Sequence, residues 1–321
     1  MTEKPGSDVR RSRPEHITVL LAEAVDLLRP RPGGVYVDGT LGGGGHAELI
    51  LERSGPDGML IGLDQDGLAI DRSRERLVRF GQRVILRQEN FRDITRVLAG
   101  LGISAVDGIL LDLGLSWFHV RDLERGFSFL ADGPLDMRMD PRNPVTAADL
   151  VNTLSRQELM RILREYGEET KAGAIAKAIE RSRGRGPITR TVQLAQIVSS
   201  VFPSYPPRRI HPATLTFQAL RIAVNDEIGA LGDGLGQMIA MLRPGGRLAV
   251  ISFHSLEDRI VKQTFARHAK GCICPPKLPV CSCGKRPDLA VVTRRPLTPS
   301  SAEIASNPAS RSAKLRVAEK L

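Results

Sequence analysis

The chain has 321 residues, 41% of them hydrophobic and 26% charged, with a mean hydropathy of -0.13. That length accommodates one large core, or a core with a smaller inserted domain. Lys and Arg number 46 against 36 Asp and Glu, a net charge of +10 that points to a polyanionic partner, nucleic acid first. The sequence has no secretory signal and no apolar run of membrane length, which argues against a secreted or membrane-spanning protein and makes the cytoplasm the expected location.

MTEKPGSDVRRSRPEH lacks an apolar run, and residues 1–15 are read as a disordered arm. ITVLLAEAVDLL (17–28) has helical apolar spacing, and PRPGG ends it. VYVDGT (35–40) is a short buried strand, HAELILERS (46–54) a helix and GPDG a turn. Further strands follow at MLIGLD (59–64), RVILRQENF (83–91) and VDGILLDLG (106–114), separated by helices over 67–80 and 94–102. This alternation predicts a parallel, doubly wound sheet covered on both faces. The next strand, GRLAVISF (246–253), comes only after a long interruption that reads as helices over 147–183. An inserted helical domain is therefore expected at 139–216, inside a sheet domain formed by 16–138 and 217–321. Two late strands, 289–297 and 313–321, suit an antiparallel pair at the sheet edge.

The chemistry is concentrated after the first strand, in DGTLGGGGH (38–46). A P-loop would need a lysine after the glycines, and none is there. Gly42, Gly44 and Ala47 do satisfy the dinucleotide pattern, with Asp64 ending the next strand. Two features favour S-adenosylmethionine instead. Asp38 before the loop would meet an ammonium group and repel a pyrophosphate. The fourth strand also ends in a polar cluster, Asp112-Leu113-Gly114-Leu115-Ser116, at the edge where open α/β sheets bind ligands. Asp64, in preference to Asp66, is expected to take the ribose hydroxyls. Phe91 is a candidate to stack on adenine, with an ordinary core phenylalanine as the alternative.

Taken together, DGTLGGGGH, ILLDLGLS (109–116), ERGFSF (124–129), GPLDMRMDP (133–141), HPATLTFQALRIAVNDE (211–227), ISFHSLEDRIVK (251–262) and NPASRSAKLRVAEK (307–320) resemble the RsmH family, also called MraW. The resemblance runs from about His16 to the C-terminus. It implies a class I S-adenosylmethionine-dependent methyltransferase sheet with an inserted helical domain. It also implies methylation of the exocyclic N4 of one cytidine in the 16S ribosomal RNA of the small subunit.

On the same resemblance the cofactor site comprises Gly44, Gly45, His46, Asp64, Phe91 and Asp112. One departure stands out: where the family commonly carries a cofactor-contacting glutamine after V-S-S, this chain reads LSWFH and places His119 there. Trp117 and Phe118 beside it either pack locally or meet the target base.

Cytosine's amine is a weak nucleophile, so acceptors must draw on its protons while it is held in line with the methyl group. Asp112 and Ser116 are the candidates, with Asp112 open to a cofactor role as well. His254 either lines the target pocket or caps the strand end. The target base has to leave its stack to reach such a pocket. RNA contacts are sought on the insertion (Arg156, Arg161, Arg164, Lys171, Lys177, Arg181, Arg183, Arg185) and, better, at Arg208 and Arg209 in a Pro-rich loop. Oligomeric state is open between monomer and homodimer.

All four cysteines fall in CICPPKLPVCSC (272–283). Cys272, Cys274, Cys281 and Cys283 suit a structural zinc site, although C-x-C is tighter than the usual C-x-x-C; reduced thiols or a labile disulfide are the alternatives. No metal is expected in the reaction itself. An NAD-dependent oxidoreductase would leave DLGLS and the insertion without a role. A non-catalytic RNA-binding or ribosome-assembly protein would leave the acids around the loop without one.

Overall fold

The computed structural model describes residues 17–202, 211–272, 274, 280 and 283–321. Among the described residues seven strands form one sheet: β1 (Val35–Asp38), β2 (Met59–Asp64), β3 (Val84–Gln88), β4 (Val106–Asp112), β5 (Leu242–Ser252), β6 (Leu289–Val291) and β7 (Lys314–Lys320). Their order is β3-β2-β1-β4-β5-β7-β6. The first five are parallel, and β7 enters antiparallel between β5 and β6. The expected antiparallel edge pair is therefore present, shortened at β6. Strand order reverses between β1 and β4, the switch point that opens a crevice at the strands' carboxyl ends.

Near-continuous apolar strands follow from burial on both faces. Along β4, Ile109 and Leu111 face one layer and Leu110 the other, as the two-residue period requires. Helices α1 (Leu21–Leu28), α2 (Gly45–Arg53) and α3 (Gly67–Leu77) cover one face. Helix α4 (Ile94–Gly100) covers the other, with two helices from beyond the insertion. After β4 come the short α5 (Trp117–Arg121), then α6 (Ala147–Thr153), α7 (Arg156–Glu165), α8 (Ala172–Arg183), α9 (Thr191–Ser199) and α10 (Thr214–Asn225). The sheet's second face is completed by α11 (Glu227–Met241) and α12 (Ser255–Ala269), and α13 (Ser301–Ser306) precedes β7.

Helices α6 to α10 share a core of their own, running from Phe127 to Val224 and including Leu163, Ile175, Leu194 and Leu220, all fully buried. Each such side chain contributes about 1.5–3 kcal/mol of burial. The cluster extends past 139–216 at both ends, because the DMRMD segment and α10 both feed it. Capping boxes at Thr146–Asp149 and Ser155–Glu158 start α6 and α7.

Several boundaries differ from the sequence expectation. Helix α1 begins at Leu21 instead of residue 17, because Leu20 is left-handed at φ 50° and donates its N–H to Glu303 Oε1 at 2.8 Å. Helix α3 ends at Leu77, ahead of residue 80, and passes into a 3-10 turn broken at Gly81. Strand β3 ends at Gln88, because the Asn90 side chain accepts from Arg92 N at 3.0 Å and turns the chain at Phe91. Strand β5 starts earlier, at Leu242, across a register shift opposite Val106 and Gly108. Among the described residues no helix is long and apolar enough to cross a membrane.

Candidate active site

A cavity of about 610 Å³ opens at the carboxyl ends of β1, β2 and β4. The glycine loop forms one wall. Gly42 and Gly44 have φ of 52° and 76°, left-handed values that a side chain would strain. Gly44 is the N-cap of α2 and does not itself line the cavity, whereas Gly45 does. A Cβ on Gly45 would lie 2.0 Å from Thr18 Oγ1, so the missing side chain is what lets the N-terminal segment close over the loop.

Three strand-end aspartates differ in environment. Asp38 is 1% exposed, accepts from Thr40 N at 3.1 Å and lies beneath the lining. Burial, with Asp64 adding repulsion, raises its pKa to about 7. It is therefore not placed to meet an ammonium group directly, as its sequence position suggested. Asp64 does line the cavity, accepting from Gly42 N at 2.8 Å and Asp66 N at 2.9 Å. Burial pushes its carboxyl up despite those two donors.

Asp112 lines the same cavity. Its backbone N donates to Thr40 Oγ1 at 2.5 Å, yet its Oδ1 is buried with no partner among the described residues. Burial, then Asp38 and Glu257, drives this carboxyl well above the ordinary range.

His46 stands beside it. Its Nε2 contacts Val19 O at 3.1 Å, and since a carbonyl only accepts, that nitrogen carries the proton. In the neutral ring Nδ1 is then an acceptor, 3.7 Å from Asp112 Oδ2. A protonated Asp112 is compatible with that arrangement. Nε2 of His119 is fixed likewise, 2.8 Å from Asp66 Oδ2, leaving its buried Nδ1 without a partner among the described residues. Asp66 is committed to His119 and Arg125 and does not line the cavity. Burial opposes its ionisation, but those two neighbours hold it below the usual carboxylate range.

Phe91 both lines the cavity and packs on the sheet core, close to Gly234 of α11. Ser116 lines it too while capping α5, its Oγ accepting from His119 N at 3.2 Å. Trp117 is a wall residue, with Arg121 4.5 Å over its ring. Phe118 instead packs outside the loop, against Gly43 and Arg72.

His254 is absent from the lining. It forms a capping box with Glu257 at the start of α12: Nδ1 accepts from Glu257 N at 3.4 Å, and His254 N donates to Glu257 Oε2 at 3.3 Å. The capping alternative is thus the one the geometry carries. Glu227, His254 and Glu257 come within metal-ligating reach of one another. Arg221 binds Glu227 there through two bonds of 2.8 and 2.9 Å.

Sequence reasoning missed several contributors, among them Ile17–Val19, Asn90, Arg221 and Ser306–Ala309. Arg208 and Arg209 lie outside the described residues, as does Cys281. On the insertion, Arg183 bonds the carbonyls of Val151 and Leu154 and Lys171 sits over Phe202, both structural roles.

Chemically, the cavity offers an acceptor-rich carboxylate (Asp64) for hydroxyl donors and an orphan imidazole acceptor (His119). It also holds a carboxyl oxygen (Asp112) without a partner among the described residues, on a group that burial pushes well above the ordinary carboxylate range. That set suits a polar, partly cationic ligand and a reaction in which a proton is withdrawn.

The family model described as MraW methylase matches residues 13–321. A protein of Geobacter sulfurreducens named ribosomal RNA small subunit methyltransferase H is 58% identical over 307 residues, 95% of this chain and 99% of that one. Proteins of the same name from Syntrophotalea carbinolica and Symbiobacterium thermophilum are 55% and 56% identical, each over at least 95% of both chains. With nearly the whole of its length matched in this way, the chain belongs to the MraW methylase family.

Proposed function

We propose that this chain transfers a methyl group from S-adenosylmethionine to the exocyclic N4 of a cytidine in the 16S ribosomal RNA of the small subunit. The observation that carries the reading is Asp112 Oδ1, buried at the cavity wall with no partner among the described residues. Family membership supports the reaction class, and the orphan oxygen supports an acceptor group that gives up a proton, as an amine does.

The residues fit the cofactor. Asp64 would hold the ribose hydroxyls, with Gly42 N–H fixing its carboxylate. Phe91 would face the adenine, and His119 Nδ1 would take an N–H from it. Gly45 and His46 would line the methionine end. When bound, S-adenosylmethionine supplies an electrophilic methyl on a positively charged sulfur. That charge would favour ionised Asp112, which could then accept a proton from the amine. Ser116 and Trp117 would position the base. No cysteine adduct is needed at nitrogen, and all three described cysteines lie away from the cavity lining.

The base must be unstacked to enter. Recognition of the surrounding RNA falls to shape and backbone contacts, and the helical insertion is the natural platform. A ribosomal target would put the reaction in the cytoplasm. The test is methyl transfer from labelled cofactor to small subunits, free ribosomal RNA and DNA, followed by nucleoside analysis. N4-methylated cytidine is the expected product; methyl on another atom, or on DNA alone, overturns the reading.

A further inference from the structure

Among the described residues, the connection between α12 and β6 has no apolar core. Between Ala269 and Leu289 none of the described residues is a buried hydrophobic, and Val280 is 76% exposed. Polar contacts close its stem: Asp288 N donates to His268 O at 3.1 Å, and His268 Nδ1 lies 3.0 Å from the Asp288 carboxylate. A loop of this kind gains little from burial and needs another tie to hold one shape.

The thiols are placed to be that tie. Cys272, Cys274 and Cys283 bring their Sγ atoms within 4.8 Å of one another, and Cys272 and Cys283 are 3.8 Å apart. Zinc–sulfur bonds of about 2.3 Å in a tetrahedron put neighbouring sulfurs about 3.8 Å apart. A disulfide would need a separation of about 2.05 Å. We infer that Cys272, Cys274 and Cys283 bind one divalent zinc-class ion that pins the α12–β6 connection to the end of the sheet.

Thiolate sulfur is a soft donor, which selects zinc over magnesium or calcium. Three thiols and one Zn²⁺ give a zinc tris-thiolate of net charge −1 with release of three protons, leaving a fourth position for a further ligand. None of the three lines the cavity, so the ion is structural: it fixes the far end of α12, whose other end carries the His254–Glu257 cap.

The test is the metal content of the full chain, purified without a tag or chelator, by elemental mass spectrometry. About one zinc per chain is expected. Exchange with Co²⁺ should give thiolate-to-cobalt charge transfer in the near ultraviolet and tetrahedral bands in the red. Cys272→Ser and Cys283→Ser should each lose the metal while the far-ultraviolet spectrum and cofactor affinity persist. Metal-free chain whose thiols all titrate in the native state, or chain carrying a disulfide by intact mass, overturns the inference. So does a cobalt complex lacking the charge-transfer band. The wild-type measurements stand whether or not the variants fold.

Discussion

Two aspartates on one strand have opposite fates. Asp107, at the start of β4, accepts from Arg31 at 2.8 Å, Arg243 at 2.8 Å and Val35 N at 2.9 Å. Burial opposes its charge, but those three donors hold its carboxyl below the ordinary range. Asp112, at the end of the same strand, has no such donors among the described residues and is pushed up by burial and by Asp38 and Glu257. The amino edge of the sheet satisfies its acid and is built for stability. The carboxyl edge leaves its acid wanting, which is the condition for exchanging a proton with a substrate.

The largest effect that would sharpen this contrast is at Asp112. Asp112→Asn should lower the single-turnover rate of methyl transfer by about 10²–10⁴-fold, the range of general base catalysis, with no loss of melting temperature. A near-normal rate would remove Asp112 from the chemistry. Gly45→Ala comes next: its Cβ would displace Thr18, and cofactor affinity by calorimetry should fall about 10-fold or more. Unchanged affinity would show that the N-terminal segment yields freely.

Asp107→Asn should do the reverse of Asp112→Asn, costing about 1–2 kcal/mol of stability while the transfer rate per folded molecule holds. The estimate is modest because Arg31 and Arg243 are 71% and 47% exposed and screened by water. Its pH signature also differs. A depressed carboxyl stabilises above its unfolded pKa, and that contribution is lost as pH falls through the folded one.

Asp38 has the opposite sign. With its folded pKa near 7 against 3.8 unfolded, its protonated form favours folding at low pH, and that contribution drains away as pH rises from about 4 to 7. Asp38→Asn keeps the acceptor for Thr40 N, so melts should become flatter over that window. An unchanged profile would mean that Asp38 is not buried as described.

The strands and the loop were legible because a parallel sheet leaves long apolar runs and because glycines in DGTLGGGGH have few other uses. The same local pattern placed Asp64, Phe91, Asp112 and Ser116 at the correct edge. Asp38 looked equivalent to them in sequence, but the loop folds over it, and no local signal tells a strand-end acid beneath a loop from one beside it. His254 was ambiguous until Glu257, three residues on, closed a capping box. The walls supplied by Ile17–Val19 and Ser306–Ala309 join opposite ends of the chain, Asn307 Nδ2 donating to Ile17 O at 3.0 Å. Nothing in either segment's periodicity announces such a contact. Arg221 was hidden by its place on an ordinary amphipathic helix.

The central claim is that Asp112, deprived of partners by the fold, receives the amine proton during methyl transfer to small-subunit RNA. Single-turnover transfer from labelled cofactor to purified small subunits, measured against pH and followed by nucleoside analysis, tests it most directly. The rate should rise with pH through an apparent pKa above the usual carboxylate range, yield N4-methylated cytidine, and vanish in Asp112→Asn. A pH-independent rate that survives in Asp112→Asn, or methyl recovered on another atom, would contradict it.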